Sequence, residues 1–326
     1  MSHYPKISIV TPSFNQGQYI EQTILSVINQ KYPNLEYIII DGGSSDNTVD
    51  IIKKYEPYIT YWVSEKDNGQ SDALNKGLGK CTGEIFNWIN SDDYLEENAL
   101  FEIANAFNDK NTDIACGYSR IFTDKDNKTV QAHRSELFPT VEQTMVEQRI
   151  NQPAMFYRKE IIDSLGGINT NLHYTMDLEL WWRYLASFGL PRIKLSDKVL
   201  AHFRIHDHSK TGVHEQRFRD EEASIWHHLL KQLGFSRSWV DYFGINSIYK
   251  GPHWNIASLD IKELKTQLAR KYLYPAFAKG QKKFCREAFW QLAKNGSLSI
   301  SFQTVALFVK LYIGNLSMRK YIKSNA

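Results

Sequence analysis

The chain predicts an α/β fold: a mixed, mostly parallel sheet flanked by helices, followed by a C-terminal helical extension. Three observations carry this expectation. Short apolar runs alternate with helix-period segments over the first 65 residues, the pattern of right-handed strand–helix–strand units. The runs are nearly continuously apolar, as strands covered on both faces of a parallel sheet are. Beyond about residue 235 the strand patterns stop and three helical patterns take over.

Taken in order, residues 6–11 form a first β-branched strand, and Pro12-Ser13-Phe14-Asn15-Gln16-Gly17 supplies turn chemistry. A helix follows with Ile20, Ile24, Val27 and Ile28 on one face, and Pro33-Asn34 ends it. Residues 36–41 are a second strand, Val49, Ile52 and Tyr55 mark a second helix, and residues 61–65 are a third strand. Asp67-Asn68-Gly69 is a turn; Ser71 or Asp72 opens a short helix that Gly77 or Gly79 closes. Residues 83–90 lead into a fourth strand and residues 96–107 into a helix with Leu100, Ile103, Ala104 and Phe107 on one face. Residues 113–118 are a further strand, and Asp124-Lys125-Asp126-Asn127 is a hairpin turn.

The length of 326 residues suits one large domain with a smaller extension, and 42% hydrophobic and 23% charged residues are ordinary for a soluble protein. Cys81, Cys116 and Cys285 are far apart with no CxxC pair, which argues against a disulfide scaffold or cysteine zinc site and fits a reducing compartment. The N-terminus has no secretory signal pattern, and no apolar run approaches the roughly 20 residues of a membrane span. The expected location is therefore cytoplasmic. The net charge of +3 hides an asymmetry: residues 262–326 hold 13 Lys and Arg against 2 Asp and Glu, a net +11, leaving −8 on the remainder.

Chemistry gathers at the strand ends. Asn90-Ser91-Asp92-Asp93 closes an apolar stretch with adjacent carboxylates, where an open α/β sheet places its ligand. Adjacent acids call for an offsetting charge, usually a hard divalent cation with oxygen ligands. The same residues would also cap a following helix, and this stretch alone leaves both readings open. Asp41 ends the second strand and is followed by Gly42-Gly43-Ser44-Ser45. This loop is neither GxGxxG nor GxxxxGK[ST], so dinucleotide and P-loop mechanics do not apply. An acid here commonly accepts hydrogen bonds from a nucleoside, and glycine lets a ligand approach the backbone.

In these blocks the sequence resembles glycosyltransferase family 2, nucleotide-sugar transferases with a GT-A-type, single Rossmann-like fold. The residues that carry the resemblance are Val10-Thr11-Pro12-Ser13-Phe14-Asn15, Asp41-Gly42-Gly43-Ser44-Ser45-Asp46-Asn47-Thr48, 67–77 and Asn90-Ser91-Asp92-Asp93, four blocks in the family's order. The last resembles the family's DXD-type metal site. The resemblance implies that Asp41 and Asp72 hold the base and ribose. It implies that Asp93, helped by Ser91 or Asp92, holds Mn2+ or Mg2+ on the diphosphate. Other donor contacts it implies are Thr11, Pro12, Phe14, Gly42, Asn75, Lys76 and Asp92. Residues 151–158 look like the strand bordering the acceptor site. Tyr174-Thr175-Met176-Asp177-Leu178-Glu179 looks like the acceptor-side helix, whose usual acidic pair is broken here by Met176. The resemblance maps the general base onto Asp177, and an inverting transfer needs one such carboxylate to take the proton of the attacking hydroxyl. Asp177 also suits a helix cap; Glu179 faces elsewhere and is structural. Arg204, His206, Ser209 and Thr211 match an Arg-x-His-x-x-Ser-x-Thr stretch of related transferases, making His206 a metal or phosphate ligand and Lys210 a diphosphate contact. His208 has no such counterpart.

The implied organisation is a catalytic domain over residues 1–235, with a nucleotide-binding half 1–95 and an acceptor half 96–235, and a basic helical extension over 236–326. In the extension, helical patterns cover residues 261–278, 282–294 and 300–322. Phe302, Val305, Val309, Tyr312, Ile313 and Leu316 share a face, with Lys310, Arg319, Lys320 and Lys323 nearby. Such a basic amphipathic helix lies on an anionic membrane or packs on the core. The expected activity is metal-dependent inverting transfer of a sugar from a UDP-sugar to a glycan or lipid-linked saccharide in cell-surface polysaccharide synthesis, with no nucleic-acid partner. Two alternatives compete: a catalytically lapsed saccharide-binding scaffold, supported only by Met176, and a sugar-1-phosphate nucleotidyltransferase. The latter wants a basic Gly-rich loop after the first strand, and residues 12–17 hold no Lys or Arg.

Overall fold

Strand register sets the architecture. In the computed structural model, which describes residues 4–124, 129–207, 209–210, 214–244, 249–298 and 302–312, β1 (Ile7–Ser13) is buried along its whole length. It lies parallel between β2 (Leu35–Asp41) and β4 (Ile85–Trp88), with Val10 opposite both Ile38 and Trp88. Side chains alternate between the two faces. Ile7, Ile9, Tyr37 and Ile39 enter one apolar layer, while Val10, Ile38 and Ile40 enter the other. The remaining described strands are β3 (Tyr61–Ser64), β5 (Tyr94–Leu95), β6 (Ile114–Thr123), β7 (Thr129–Arg134), β8 (Met155–Arg158) and β9 (Ile193–Ile205). The sheet order is β3-β2-β1-β4-β8-β6-β9-β5, with β7 paired to β6. β3, β2, β1 and β4 are parallel; β8 is antiparallel to β4, so the sheet is mixed and mostly parallel, as expected.

Helices α1 (Ile20–Ile28), α2 (Thr48–Lys54), α3 (Gln70–Leu78), α4 (Ala99–Phe107), α5 (Val141–Glu147), α6 (Lys159–Ser164) and α7 (Met176–Phe188) connect the strands. α3 sits so close to β1 that a Cβ on Gly77 would come within 2.5 Å of Val10, so the packing itself demands glycine there. The hairpin β6–β7 forms where expected, although residues 125–128 lie outside the described residues.

One local expectation changes. The acids of residues 92–93 do not lead into a helix. Tyr94–Leu95 forms a short strand paired with Ala201 and His202 of β9, and Glu96 N donates to Leu200 O. Asn98 then turns left-handed (φ 61°), and the helix starts only at Ala99. Ser91, Asp92 and Asp93 therefore cap no helix; they form a turn between two strands.

The C-terminal part comprises α8 (Glu215–Gln232), α9 (Arg237–Tyr242), α10 (Ile261–Ala278), α11 (Lys282–Lys294) and α12 (Phe302–Tyr312). α10 opens with Asp260, whose carboxylate accepts from Lys262 N and Glu263 N. The predicted end of the last helix, with Ile313, Leu316, Arg319, Lys320 and Lys323, lies outside the described residues. One apolar cluster runs without interruption from Val10 and Trp88 through Trp181 and Trp182 to Leu264, Leu268, Phe284 and Leu311. The helices thus pack on the catalytic core. No helix among the described residues is long and apolar enough to cross a membrane.

Candidate active site

The carboxyl ends of β1, β2 and β4 point to one edge of the sheet, and the polar residues of the turns that follow them collect there. Asp41, fully buried, accepts from Gly43 N (3.1 Å), Ser44 N (2.9 Å), Ser44 Oγ (2.5 Å) and Ser64 Oγ (2.6 Å). These bonds shape the loop around its carboxylate. Gly42 is needed beside it, because a Cβ there would approach Asp67 Oδ2 to 2.8 Å. Phe14, just past the end of β1, leaves 59% of its surface exposed at the mouth. Pro12 is buried, and Thr11 is buried with its hydroxyl 3.1 Å from that of Tyr37, so neither side chain opens to a ligand.

Asp72 accepts from Asn68 N (3.0 Å), and Lys76 bonds Glu65 (2.9 Å) and lies 3.8 Å from Asp72. Asn75 is fully committed elsewhere. Its amide donates to Ile168 O (2.6 Å) and accepts from Ile168 N (3.0 Å), bracing the Gly166-Gly167 turn.

The acid turn resolves into two different carboxylates. Asp93 is 1% exposed; Oδ1 accepts from Arg204 N (2.9 Å) and Oδ2 from Asn90 Nδ2 (3.2 Å). Burial, and then the Asp92 charge, push its proton affinity well above the ordinary carboxylate range. Asp93 is thus buried with a hydrogen bond on each oxygen. Asp92, by contrast, keeps its carboxylate partly open, 3.1 Å from His206 Nε2. Ser91 is buried, and its carbonyl accepts from Thr23 (3.0 Å).

Arg204 locks this arrangement. Besides its backbone bond to Asp93, its Nε donates to Asp92 O (2.9 Å) and its guanidinium reaches Asp124 and Gln22. The guanidinium also lies over the rings of Tyr19 (4.7 Å) and Phe122 (4.8 Å). Tyr19 donates to Asp124 (2.7 Å) and packs its ring 4.7 Å from that of His206. Burial and the Asp124 bond push Tyr19 up to about 12. Ser209 accepts from His206 N (2.9 Å), fixing the loop. Thr211 and His208 lie outside the described residues.

On the acceptor side, Asp177 stands in the first turn of α7 and not at its cap, which is Thr175. Burial raises its proton affinity; the Leu178 N–H (2.8 Å) and the Lys210 charge oppose this, and Glu221 adds to it. Met176 is buried in the core, and Glu179 is buried against Arg183 (2.8 Å) and Tyr249 (2.6 Å), a structural role. Lys210 joins the two sides: its ammonium donates to Gln70 Oε1 (2.8 Å) and His173 O (3.0 Å), within electrostatic reach of Asp92, Asp177 and Glu221. The sequence reading missed Gln70, Asn90 and His173 as connectors, because each acts through contacts made only on folding.

Acids and a lysine thus gather at the carboxyl edge of an open α/β sheet, where such sheets place their ligand. The chain matches the glycosyl transferase family 2 model over residues 8–175, half its length, and it belongs to that family. It is 28% identical over 244 residues to an uncharacterized glycosyltransferase of Rickettsia typhi, covering 71% of this chain and 74% of that one. It is 36% identical over 117 residues to the poly(ribitol-phosphate) beta-N-acetylglucosaminyltransferase TarP of Staphylococcus aureus, covering 34% and 36%. In structure it resembles S. aureus TarS 1-349 (TM-score 0.54, 17% identity, 94% of this chain and 78% of that chain). It also resembles the mannosyltransferase PcManGT of Pyrobaculum calidifontis, solved with GDP-Man and Mn2+ (TM-score 0.54, 18% identity, 99% and 84%). The chain spans half of a longer TarS chain.

Proposed function

We propose that the protein is a metal-dependent, inverting glycosyltransferase of hexosyl or N-acetylhexosaminyl type. Its donor is a UDP-sugar, and its acceptor is a hydroxyl of a glycan or lipid-linked saccharide destined for cell-surface polysaccharide. The observation that carries this reading is the meeting of Asp92–His206, Lys210 and Asp177 at the carboxyl edge of the sheet. TarS has been solved with UDP and with UDP-GlcNAc, which supports a UDP-sugar donor.

Each residue then has a task. Asp41, Asp72, Gly42 and exposed Phe14 receive the nucleoside. Asp92 and His206 hold Mn2+ or Mg2+; among the described residues no three acidic, His or Cys side chains form a closed cage. A cation bound through one or two protein ligands plus substrate phosphates is the normal arrangement for a phosphate site. When bound, it offsets the charge that develops on the leaving diphosphate. Lys210 adds a second positive charge from the opposite wall. Asp177 takes the proton from the acceptor hydroxyl, and its burial-raised proton affinity suits it to that work. One carboxylate suffices for inversion, whereas a double displacement needs a second as nucleophile.

The extension carries exposed Trp290, Val305 and Val309 near Lys294 and Lys310. This supports peripheral contact with an anionic membrane on the cytoplasmic face, where a lipid-linked acceptor is met. The test is a thermal-shift panel of UDP-, GDP- and dTDP-sugars with and without Mn2+, since a ligand of the folded state raises the melting temperature. A metal-dependent shift confined to UDP-sugars is expected. Equal shifts with all three nucleotides, or none with UDP, contradict the donor assignment.

A further inference from the structure

We infer that Glu221, on α8, is a positioning residue for the transfer: it aims the helix that carries Asp177 from outside that helix and joins it to the acid turn. The inference rests on the reading of Asp177 as the base. Glu221 is 4% exposed, and its carboxylate accepts four hydrogen bonds. One oxygen takes His173 N (2.8 Å); the other takes Tyr174 N (2.9 Å), Thr175 N (2.9 Å) and Thr175 Oγ1 (3.0 Å). These are the backbone donors leading into the first turn of α7, and the cap residue Thr175 makes no cap bond of its own. The first N–H groups of a helix have no partner within it. Here a carboxylate 46 residues further along the chain accepts the N–H of the cap residue and the two before it, through charge-assisted bonds. Among the described residues no basic group lies within ion-pair distance of Glu221, and its charge is also felt by Lys210.

The clamped segment has a second role. His173 O accepts the Lys210 ammonium (3.0 Å), which bonds Gln70 (2.8 Å); Gln70 donates to Asn90 (2.7 Å), and Asn90 to Asp93 (3.2 Å). His173 also abuts the turn before α3, where a Cβ on Gly69 would come within 3.3 Å of its ring. A shift of residues 173–175 therefore moves Asp177 and Lys210 together relative to the acid turn. A misplacement of about 1 Å at a reacting group costs on the order of 10²-fold in rate.

The test is E221Q. Glutamine keeps the shape, removes the charge and turns an NH2 toward a donor that is now satisfied. Transfer kcat is expected to fall about 10²-fold, while the donor KM and the Kd for UDP with Mn2+ stay within about twofold. A folded E221Q with wild-type kcat overturns the inference, as does an equal loss of UDP affinity and kcat. If E221Q does not fold, T175V removes one of the four bonds: a lower kcat with unchanged UDP affinity supports the inference, and an unchanged kcat overturns it. D177N, assayed alongside, separates the two levels. Transfer retained in D177N overturns the base assignment, whereas transfer lost in D177N but intact in E221Q overturns only the role of Glu221.

Discussion

The donor half and the acceptor half of the edge are built differently. In the donor turns most bonds to the acids come from close by in sequence, Ser64 Oγ on Asp41 being more distant. Asp41 is bonded by Gly43 and Ser44 next to it, Asp67 by Gly69, and Asp72 by Asn68. At the acid turn and on the acceptor side each group is held from far along the chain: Asp93 by Arg204, Asp92 by His206, and the start of the Asp177 helix by Glu221. Self-contained turns form on a rigid parallel sheet and wait for a nucleotide. The long-range contacts make the chemistry depend on docking β9 and α8 against the sheet. A change in the donor turns should therefore act locally on nucleotide binding, while one at the long-range contacts should act on cation binding and turnover.

The sharpest way to break that contrast lies within the acid turn. D92N and H206A should lose Mn2+ affinity by more than the roughly 10–100-fold that loss of a supporting partner costs. D93N should keep Mn2+-dependent turnover, because an Asn still accepts from Arg204 N in the buried position. Mn2+ titrations of the three variants check this. The pH profile is the next lever. Asp177 acts as its carboxylate, and burial raises its proton affinity. Transfer kcat/KM should therefore fall about tenfold per pH unit on the acid side, with the limb above the ordinary Asp value of about 4. A limb at or below that value contradicts the assignment.

A smaller effect is expected far from the edge. Glu36 is buried; burial alone would raise its proton affinity, but bonds from Lys6, Ser8 and Thr82 outweigh this and bring it down to about 2. A depressed carboxylate contributes stability above its ordinary value of about 4.5 and loses it as pH falls toward 2. E36Q should cost about 1–3 kcal/mol at neutral pH, by denaturant titration, without altering turnover per folded molecule. The smallest effect concerns the extension. Binding to phosphatidylglycerol vesicles should weaken with salt and with K294E/K310E, while soluble-acceptor turnover stays unchanged.

Much of the donor half was legible in the sequence, because its strands, turns and acids lie in contiguous blocks. The same holds for the helices Ile261–Ala278 and Lys282–Lys294, which form at the expected bounds. The acid turn and the acceptor half were legible only in part. Nothing local distinguishes Asp92 from Asp93; the difference comes from β9 placing Arg204 N against one and His206 against the other. The short strand Tyr94–Leu95 gives no local signal because its partner, Ala201–His202, is over a hundred residues away. Asn75 looked like a ligand residue because only folding brings Ile168 beside it. Glu221 sits in an ordinary amphipathic helix and gives no signal until the loop 173–175 lies over it.

The central claim is that donor binding and proton abstraction are separate tasks, with Asp177 performing the second. The direct test is D177N, measured for UDP affinity with Mn2+ and for sugar transfer from the UDP-sugar that the thermal-shift panel selects. UDP affinity should match the wild type while transfer falls by the roughly 10²–10⁴-fold that a general base contributes. Wild-type transfer in D177N would contradict the account.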